Sequence, residues 1–261
     1  MMDKLKNNKT ILITGGASGI GAASVRRFYQ SGMNVIFIDR DERMAHILLS
    51  EFDDSERIKF FPCDVSQSKY LKDVIDKGAD RFGGIDILFA NAGYHFNATV
   101  LETSDEEWED ILSVNLGGVF HAVKYTLPYM LKNGRGSIIL MGSDQSFIGK
   151  KRSFAYGAIK GAIGQMTKSL ALDYADKNIR VNCVCPATID TPLSQKALKG
   201  WAQREFNGDL EKVYQLEAKE HPLGRIGNAE EVAEAVYFLA SENASFITGT
   251  LLPVDGGYTA Q

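Results

Sequence analysis

Short, nearly continuous apolar runs recur along the chain, and longer stretches with helical periodicity separate them. Strands that are buried on both faces of a parallel sheet have this continuous character, whereas half-exposed strands alternate polar and apolar residues. Seven runs fit the description, and we predict each as a strand: TILIT (10–14), NVIFID (34–39), IKFFPCD (58–64), IDILFANAG (85–93), GSIILMGS (136–143), IRVNCVCP (179–186) and GTLLPVDGG (249–257).

The intervening segments predict helices, most clearly over 22–31, 66–82, 105–132 and 153–177. Ser104 is followed three residues later by Glu107, which is the pattern of a capping box at the start of the third of these. Strand and helix alternate regularly, so the predicted fold class is α/β, with a seven-stranded parallel sheet that carries helices on both faces.

The chain has 261 residues and no Pro- or Ser-rich linker, which predicts a single domain over 1–261. Residues 190–224 interrupt the alternation with a long, charged and mostly helical stretch before the last helix and strand. An insertion at the end of the sheet where strands deliver ligand groups is typical of a mobile lid over a substrate. A plain connecting segment is the alternative.

Composition narrows the function classes. A net charge of -4 and a pI near 5.7 argue against nucleic acid as a partner, because binding to phosphate backbones needs a basic surface. No apolar stretch has the length of a membrane span or of a signal-peptide core, so we expect no membrane partner and a cytoplasmic location. Three cysteines (Cys63, Cys183 and Cys185) give no metal spacing, so we expect no metal, and the alternation in RVNCVCP predicts that Cys183 and Cys185 are buried thiols on one face of a strand.

A glycine cluster follows the first predicted strand and opens the first helix. Gly15, Gly19 and Gly21 form a G-x-x-x-G-x-G pattern in ILITGGASGIG. Without side chains the backbone can turn tightly, approach a pyrophosphate and direct the amides of the helix N-terminus at its charge. A purely structural turn is the alternative for such a cluster when it stands alone.

The second strand ends at Asp39, 18 residues after Gly21, where a carboxylate can accept both hydroxyls of an adenosine ribose. A 2'-phosphate would meet it as a like charge, so NAD is favoured over NADP. Arg40 instead favours NADP, since its side chain can pair with the 2'-phosphate. Asp64 ends the third strand and either holds the adenine amino group or caps a helix ahead of Ser66.

Tyr156 and Lys160 stand four residues apart in AYGAIKGA, on one face of a predicted helix. An ammonium about 5 Å from the phenol, at an effective dielectric of about 20, contributes roughly 3 kcal/mol, or about 2 pKa units, toward phenolate. Ser143 ends the fifth strand, where its hydroxyl can reach the same substrate oxygen. Ser146 is the competitor, and we favour Ser143.

Taken together, these motifs resemble the short-chain dehydrogenase/reductase family. The resemblance runs from about residue 8 to the final VDGGY and rests on six stretches in the family's order: TGGASGIG (14–21), NAG (91–93), Asn115 in VNLGGVF, Ser143, YGAIK (156–160) and PATIDTP (186–192). It implies one Rossmann-type domain, commonly a homotetramer, that transfers hydride reversibly between a nicotinamide and a secondary alcohol or ketone.

The family also implies roles for individual residues. Tyr156 becomes the acid/base, Lys160 lowers its pKa and holds the nicotinamide ribose, Ser143 polarises the carbonyl, and Asn115 supports a water chain. The implied cofactor contacts are Gly15, Ser18, Gly19, Ile20, Gly21, Asp39, Arg40, Asp64, Val65, Asn91, Ala92, Gly93, Tyr156, Lys160, Pro186, Ile189 and Thr191. Ala187 departs from the family, which usually has glycine after this proline.

From these residues we predict an NAD-dependent oxidoreductase of secondary alcohols. An NADPH-dependent carbonyl reductase that uses Arg40 is one alternative. A non-catalytic nucleotide sensor on the same fold is the other, and we disfavour it because Ser143, Tyr156 and Lys160 are all present.

Several further residues leave their roles open. His46 and His121 lack partners at metal spacing, and His221 is expected to be structural. His95 either lines the substrate pocket with Tyr94 and Phe96 or lies in a solvated loop. The three cations of GKKRS (149–153) either lie in a solvated loop, which we favour, or attract an anionic substrate. Leu193, Trp201 and Phe206 are candidates for the apolar pocket, with Trp201 also suited to a core or an interface.

Overall fold

A computed structural model describes residues 9–53 and 55–261 as one seven-stranded sheet covered by helices. Every strand pair in the main sheet is parallel, and the spatial order is β3-β2-β1-β4-β5-β6-β9. The strands of this sheet are β1 (Thr10–Thr14), β2 (Asn34–Asp39), β3 (Ile58–Pro62), β4 (Ile87–Ala90), β5 (Gly136–Met141), β6 (Ile179–Pro186) and β9 (Leu251–Val254). The predicted fold class and the seven predicted strands are confirmed.

Helices connect successive strands and cover both faces of the sheet. They are α1 (Gly19–Gln30), α2 (Glu42–Leu49), α3 (Ser68–Phe82), α4 (Asp105–Ile111), α5 (Gly118–Asn133), α6 (Phe154–Tyr174), α7 (Pro192–Glu205), α8 (Leu210–Glu220) and α9 (Ala229–Ala240). In the part of the chain that the structure describes, no helix is both long and apolar enough to cross a membrane.

Two apolar layers hold the helices to the sheet. Alternate residues of each strand point to opposite faces, so Leu12 lies in one buried cluster and Ile11 and Ile13 lie in the other. Each of these side chains is fully buried. Burial on both faces explains why the strand sequences are apolar throughout rather than alternating.

The strand order reverses beside β1. The chain proceeds outward from β1 to β3 and then returns to β4 on the other side of β1, where Thr14 pairs with Ala90. Such a reversal separates the loops that follow β1 and β4 and leaves a crevice at the carboxyl ends of the strands. The sheet therefore offers a ligand site at this edge.

The helix predicted over 105–132 differs from the observed one. Its capping box is confirmed, because Ser104 and Glu107 exchange both hydrogen bonds. The middle of the helix, Leu112–Gly117, is π-helical and separates α4 from α5. π-Helical turns are rare and occur mostly as single-turn interruptions of α-helices, so the sequence pattern predicted one continuous helix here.

Residues 190–224 are mostly helical, as predicted, and contain α7 and α8. A pair of two-residue strands that the sequence did not indicate brackets this segment: β7 (Ile189–Asp190) and β8 (Gly227–Asn228). α7 and α8 pack on each other around Leu198, Ala202 and Val213. The segment thus has a small core of its own outside the main sheet.

Candidate active site

The turn between β1 and α1 can be made only with glycine at several positions. Gly15 and Gly19 have φ values of +66° and +51°, in the left-handed region that side chains disfavour. A Cβ at Gly21 would overlap the carbonyl oxygen of Gly15 and lie 2.9 Å from Nδ2 of Asn91. The glycines therefore let the loop pack closely against its own backbone and against Asn91, and they leave the surface around Ser18, at the start of α1, exposed.

That surface fits a pyrophosphate. Ser18 precedes the first residue of α1, is exposed and makes no capping hydrogen bond with its side chain. The first amides of a helix have no partner within the helix, so those of α1 remain available to an anion. Ile20, the second residue of α1, packs against the buried cluster that contains Ile11 and Ile13, and this contact holds the start of the helix in place.

Asp39 holds the same loop from the end of β2. Its Oδ2 accepts the backbone N–H of Ala17 at 2.9 Å, and its Oδ1 accepts that of Asp41 at 3.0 Å. The carboxylate therefore lies beside the glycine turn, at the position expected for a group that recognises a ribose. These hydrogen bonds fix its orientation before any ligand binds.

Arg40 and Asp64 interact with each other rather than standing apart. Nη1 of Arg40 lies 3.7 Å from Oδ2 of Asp64, and 69% of the arginine side chain is exposed. Oδ1 of Asp64 accepts the N–H of Ser66 at 2.9 Å, so the carboxylate caps the turn before α3, whereas α3 itself begins at Ser68 with Gln67 as its N-cap. Val65, which follows Asp64 in the sequence, is buried against Gly118 at the start of α5.

The NAG segment ties β4 to β1. Nδ2 of Asn91 donates to the carbonyl oxygens of Thr14 and Gly15 at 3.1 and 2.9 Å, and the Thr14 hydroxyl accepts the N–H groups of Asn91 and Ala92. Gly93 leaves room for Asn115, whose Oδ1 would lie 3.2 Å from an added Cβ. The floor of the crevice is therefore rigid.

Asn115 lies in the π-helical segment and is buried. Its Oδ1 accepts the N–H of Tyr94 at 3.0 Å, and its Nδ2 donates to the Tyr94 carbonyl at 2.7 Å. Both ends of the amide thus bind the loop that follows β4. π-Helical turns occur frequently at functional sites, and this one places an amide where a regular helix would place another residue.

Tyr156 and Lys160 face each other on α6, as their spacing predicts. Nζ of Lys160 lies 5.2 Å from the centroid of the Tyr156 ring and donates to the carbonyl oxygen of Met141 at 2.6 Å. Burial lowers the pKa of Lys160 to about 8. The Sγ atoms of Cys183 and Cys185 lie 3.6 Å apart, and the predicted burial of these two thiols is confirmed; Cys63 is buried as well.

The expected direction of the Tyr156 pKa is wrong for the chain without cofactor. Burial raises this pKa well above its ordinary value, the negative charge of Asp144 raises it further, and the hydrogen bond with Ser143 only partly opposes them. Desolvation penalises the charged phenolate, and the four-residue spacing of Tyr156 and Lys160 does not reveal how deeply the phenol is buried. Tyr156 is therefore a protonated phenol in this state.

Ser143, and not Ser146, is the hydroxyl beside Tyr156. Ser143 follows β5 and is buried. Ser146 donates to the carbonyl oxygen of Lys160 at 2.9 Å and accepts the N–H of Ser143 at 3.3 Å, so its hydroxyl supports the backbone around the site.

His95 lies against the tyrosine, which agrees with the first of its two alternatives. The rings of His95 and Tyr156 meet edge to face with centroids 4.7 Å apart, and Nε2 of His95 is 3.2 Å from Oγ of Ser153. Burial, together with the positive charge of Lys150, lowers the pKa of His95 to about 4. The imidazole is therefore neutral at physiological pH.

The three cations of GKKRS do not form one solvated loop. Nζ of Lys150 lies 2.7 Å from Oδ2 of Asp144, and Nη2 of Arg152 lies 2.9 Å from Oε2 of Glu102. Lys151 alone is exposed. The preferred expectation is wrong for Lys150, because this side chain belongs to the active-site network.

The segment 190–224 reaches the site at its start. The side chain of Thr191 caps α7, and its methyl group would lie 3.2 Å from a Cβ at Gly19. Ile189 is buried, and Pro186 ends β6 directly before Ala187. Pro186, Ile189 and Thr191, which the family resemblance implies as cofactor contacts, thus follow β6 on the side of the site that faces the glycine turn.

Of the three residues predicted for the apolar pocket, two lie in a core instead and one is exposed. The Trp201 and Phe206 rings lie 5.7 Å apart and pack in the core between α7 and α8, which is the alternative given for Trp201. Leu193 is 42% exposed. The sequence could not separate these cases, because each residue is apolar and carried by the same helical segment.

The other histidines have structural surroundings. His46 meets Phe60 edge to face, and His121 stacks on Tyr125. His221 is buried, with Nδ1 2.8 Å from the Glu217 carbonyl oxygen. Among the described residues no cluster of His, Cys, Asp and Glu has the arrangement of a metal site.

Comparison with known proteins gives matches over almost the whole chain. A family model described as enoyl-(acyl carrier protein) reductase matches residues 15–259. The chain is 40% identical to mouse L-fucose dehydrogenase, over 96% of its own length and 88% of the relative's. Ligand-free aldohexose dehydrogenase from Thermoplasma acidophilum is 38% identical with a TM-score of 0.88, covering 98% of this chain and 95% of that one. ElxO, solved with NADP bound, is 31% identical with a TM-score of 0.87, covering 97% and 100%.

Proposed function

The chain belongs to the short-chain dehydrogenase/reductase family and is an oxidoreductase of CH–OH groups, and we propose that it transfers hydride between NAD and a secondary alcohol or the corresponding ketone. The observation that carries this proposal is the convergence of Ser143, Tyr156 and Lys160 at the carboxyl edge of the sheet, the same edge at which the glycine turn follows β1. Gly15, Gly19, Gly21 and Asp39 would hold the dinucleotide.

In the direction of alcohol oxidation, Tyr156 acts as the base that takes the hydroxyl proton as the carbonyl bond forms. Ser143 binds the same oxygen and fixes its position. Lys160 holds a positive charge one helical turn from the phenol, and Asn115 keeps the loop after β4 in place. When bound, NAD supplies the hydride acceptor and a positive charge beside the phenol.

We expect the rate of alcohol oxidation to rise with pH from neutral to mildly alkaline solution. The base form of Tyr156 is needed, and its raised pKa leaves the phenol mostly protonated at neutral pH, so the active fraction grows about tenfold per pH unit below that pKa. Ketone reduction needs the acid form, which stays almost fully populated below that pKa, so its kcat/KM should stay level over the same pH range. Profiles of kcat/KM in both directions measure this, and a flat oxidation profile would contradict it.

We expect NAD to be preferred over NADP because the Asp39 carboxylate ends β2 beside the glycine turn and is already oriented there by two backbone hydrogen bonds, where it would meet the adenosine ribose. The variant Asp39→Ser should reduce the ratio of kcat/KM for NAD to that for NADP by at least about tenfold, since it removes both the ribose acceptor and the like charge. Arg40→Ala is the matched control. A wild-type preference for NADP that Arg40→Ala abolishes would instead establish the carbonyl-reductase alternative.

The proposal extends to the surroundings of the site. Residues 190–224 act as the substrate lid, supported by their separate small core and by Thr191 at the crevice. A homotetramer in the cytoplasm is proposed from family membership, with the three free thiols in keeping with a reducing compartment. Light scattering measures the assembly.

Substrate screening tests the proposed reaction directly. Purified protein is incubated with NAD and a panel of sugars, cyclic alcohols, steroids and hydroxy acids, and NADH is followed by its absorbance. We expect turnover with at least one secondary alcohol. No NADH with any class, from protein shown to bind NAD, would contradict the proposal.

A further inference from the structure

Lys150 approaches the site from the loop between β5 and α6. Its Nζ lies 2.7 Å from Oδ2 of Asp144, and Oδ1 of the same carboxylate lies 2.6 Å from Oγ of Ser143. A single carboxylate thus links the ammonium to the Ser143 hydroxyl. Burial and the positive charge of Lys150 together lower the pKa of His95, whose ring meets that of Tyr156 edge to face. The ammonium therefore lies close to the place where a substrate would react.

The Lys150 ammonium keeps a donor that the protein does not use. An ammonium has three N–H groups, and one of them is directed at Asp144. The ring of Tyr258 covers a second side, with its centroid 4.5 Å from Nζ. Within the residues that the structure describes, Nζ has no other hydrogen bond or ion pair, and 25% of the side chain is exposed. One N–H group is therefore available to a ligand.

The carboxylates around Lys150 decide which ligand suits it. Burial acts to lower the pKa of Lys150, but the negative charge of Asp144, with smaller contributions from Tyr258 and Glu217, raises it overall, so the side chain stays charged. The Asp144 side chain is only 3% exposed, and its two oxygens bind Lys150 and Ser143. A positive charge balanced in this way attracts an anion weakly, yet the ammonium still donates a strong hydrogen bond to a neutral oxygen.

We propose that Lys150 is a specificity-determining residue that binds a second hydroxyl of the substrate, on the carbon next to the one that is oxidised. This inference rests on the proposed function. The substrate class is a neutral polyhydroxylated compound, such as a vicinal diol or a sugar, and not a hydroxy acid or an alcohol with one hydroxyl. A hydrogen bond spans about 2.8 Å, so with the reacting oxygen on Ser143 the neighbouring hydroxyl can reach the ammonium across the width of one carboxylate.

The other role open to Lys150 is to compensate the buried charge of Asp144. A buried ion pair stabilises a fold little or not at all, and compensation alone would not discriminate between substrates. The two roles therefore differ in one measurable property, which is the selectivity between alcohols that share the same reacting group.

Three probes isolate this property. They are a cis-cyclohexanediol with adjacent hydroxyls, cyclohexanol, and the cyclohexanol that carries a carboxylate in place of the second hydroxyl. Each presents the same ring CH–OH group, and NADH formation is followed by absorbance. We expect wild-type kcat/KM for the diol to exceed that for each of the other probes by about tenfold or more, because the hydrogen bond is made to a charged donor.

The variant Lys150→Met keeps the aliphatic stem and removes the ammonium. It should lower the ratio of kcat/KM for the diol to that for cyclohexanol by roughly five- to tenfold. Both probes react at the same kind of hydroxyl, so any effect of the variant on Ser143 or Tyr156 is common to them and cancels in the ratio. Lys151→Met, which removes the exposed neighbouring cation, is the matched control and should leave the ratio unchanged.

Each outcome bears on the inference. Wild type that oxidises cyclohexanol or the carboxylate probe as well as the diol overturns it and leaves the proposed function in place, as does an unchanged ratio in folded Lys150→Met protein. If none of the cyclohexane probes reacts, each substrate found by screening is compared with its deoxy analogue at the adjacent carbon, and equal kcat/KM for the two overturns the inference.

Failure of the proposed function looks different. If protein that binds NAD oxidises no alcohol of any class, the proposed function fails and the inference fails with it. Should Lys150→Met not fold, Lys150→Gln takes its place, because its amide can keep the hydrogen bond to Asp144 while the charge is lost. This variant should lower the ratio in the same direction, and an unchanged ratio would overturn the inference.

Discussion

Replacing Tyr156 by phenylalanine is expected to lower kcat for alcohol oxidation by about a thousandfold or more, while the protein still binds NAD. The substitution removes one oxygen and leaves the ring, which packs edge to face on His95. General acid–base catalysis by a positioned side chain contributes about 10²–10⁴-fold, and the described residues offer no second phenol between Ser143 and Lys160. The loss should therefore fall on kcat rather than on cofactor affinity.

The matched control is Tyr125→Phe. This tyrosine also makes a partly buried hydrogen bond, between its hydroxyl and that of Ser68 at 2.7 Å, but it lies on α5, outside the group formed by Ser143, Tyr156 and Lys160. It should keep kcat within about twofold and lose only the roughly 1 kcal/mol of one hydrogen bond in stability. If Tyr156→Phe oxidises the alcohol at a rate near that of wild type, the assignment of the base is wrong.

Introducing a methyl group at Gly21 is expected to abolish dinucleotide binding. The Cβ would overlap the carbonyl oxygen of Gly15 and lie 2.9 Å from Nδ2 of Asn91, so the loop cannot keep its shape. Overpacking of this kind costs about 3 kcal/mol, which corresponds to at least about a hundredfold in affinity when it falls on a binding loop. Titration of protein fluorescence with NAD measures the effect on Gly21→Ala.

Gly161→Ala serves as the comparison. Gly161 lies inside α6 on an exposed surface, and a Cβ there meets nothing within 4 Å. Alanine should raise the free energy of unfolding by about 0.5–1 kcal/mol, because glycine is the poorer helix former, and should leave NAD affinity unchanged. Gly21→Ala protein that binds NAD as tightly as wild type would show that the turn does not hold the pyrophosphate.

Local chemistry made some parts of this protein predictable. Continuous apolar runs are possible only where both faces of a strand are buried, so they identified the seven strands of the sheet and their parallel arrangement. The glycines at 15, 19 and 21 were readable because left-handed backbone and close packing exclude side chains. The four-residue spacing of Tyr156 and Lys160 fixed a shared helix face, since helical geometry depends on spacing alone.

Contacts between distant segments decided the rest. Three features depend on surfaces that meet only in the folded chain. They are the π-helical turn at Asn115, the core formed by Trp201 and Phe206, and the packing of His95 on Tyr156. Lys150 had the sequence neighbours of a solvated cation, yet it pairs with Asp144 inside the site.

The sequence by itself thus determined the strands, the glycine turn and which side chains are candidates for the reaction, because these follow from residue type and spacing along the chain. The tertiary structure alone decided the protonation of Tyr156 and the pairing of Lys150 with Asp144. Both depend on how much water is excluded and on which charges lie nearby, and those quantities are set by the packing of the folded chain.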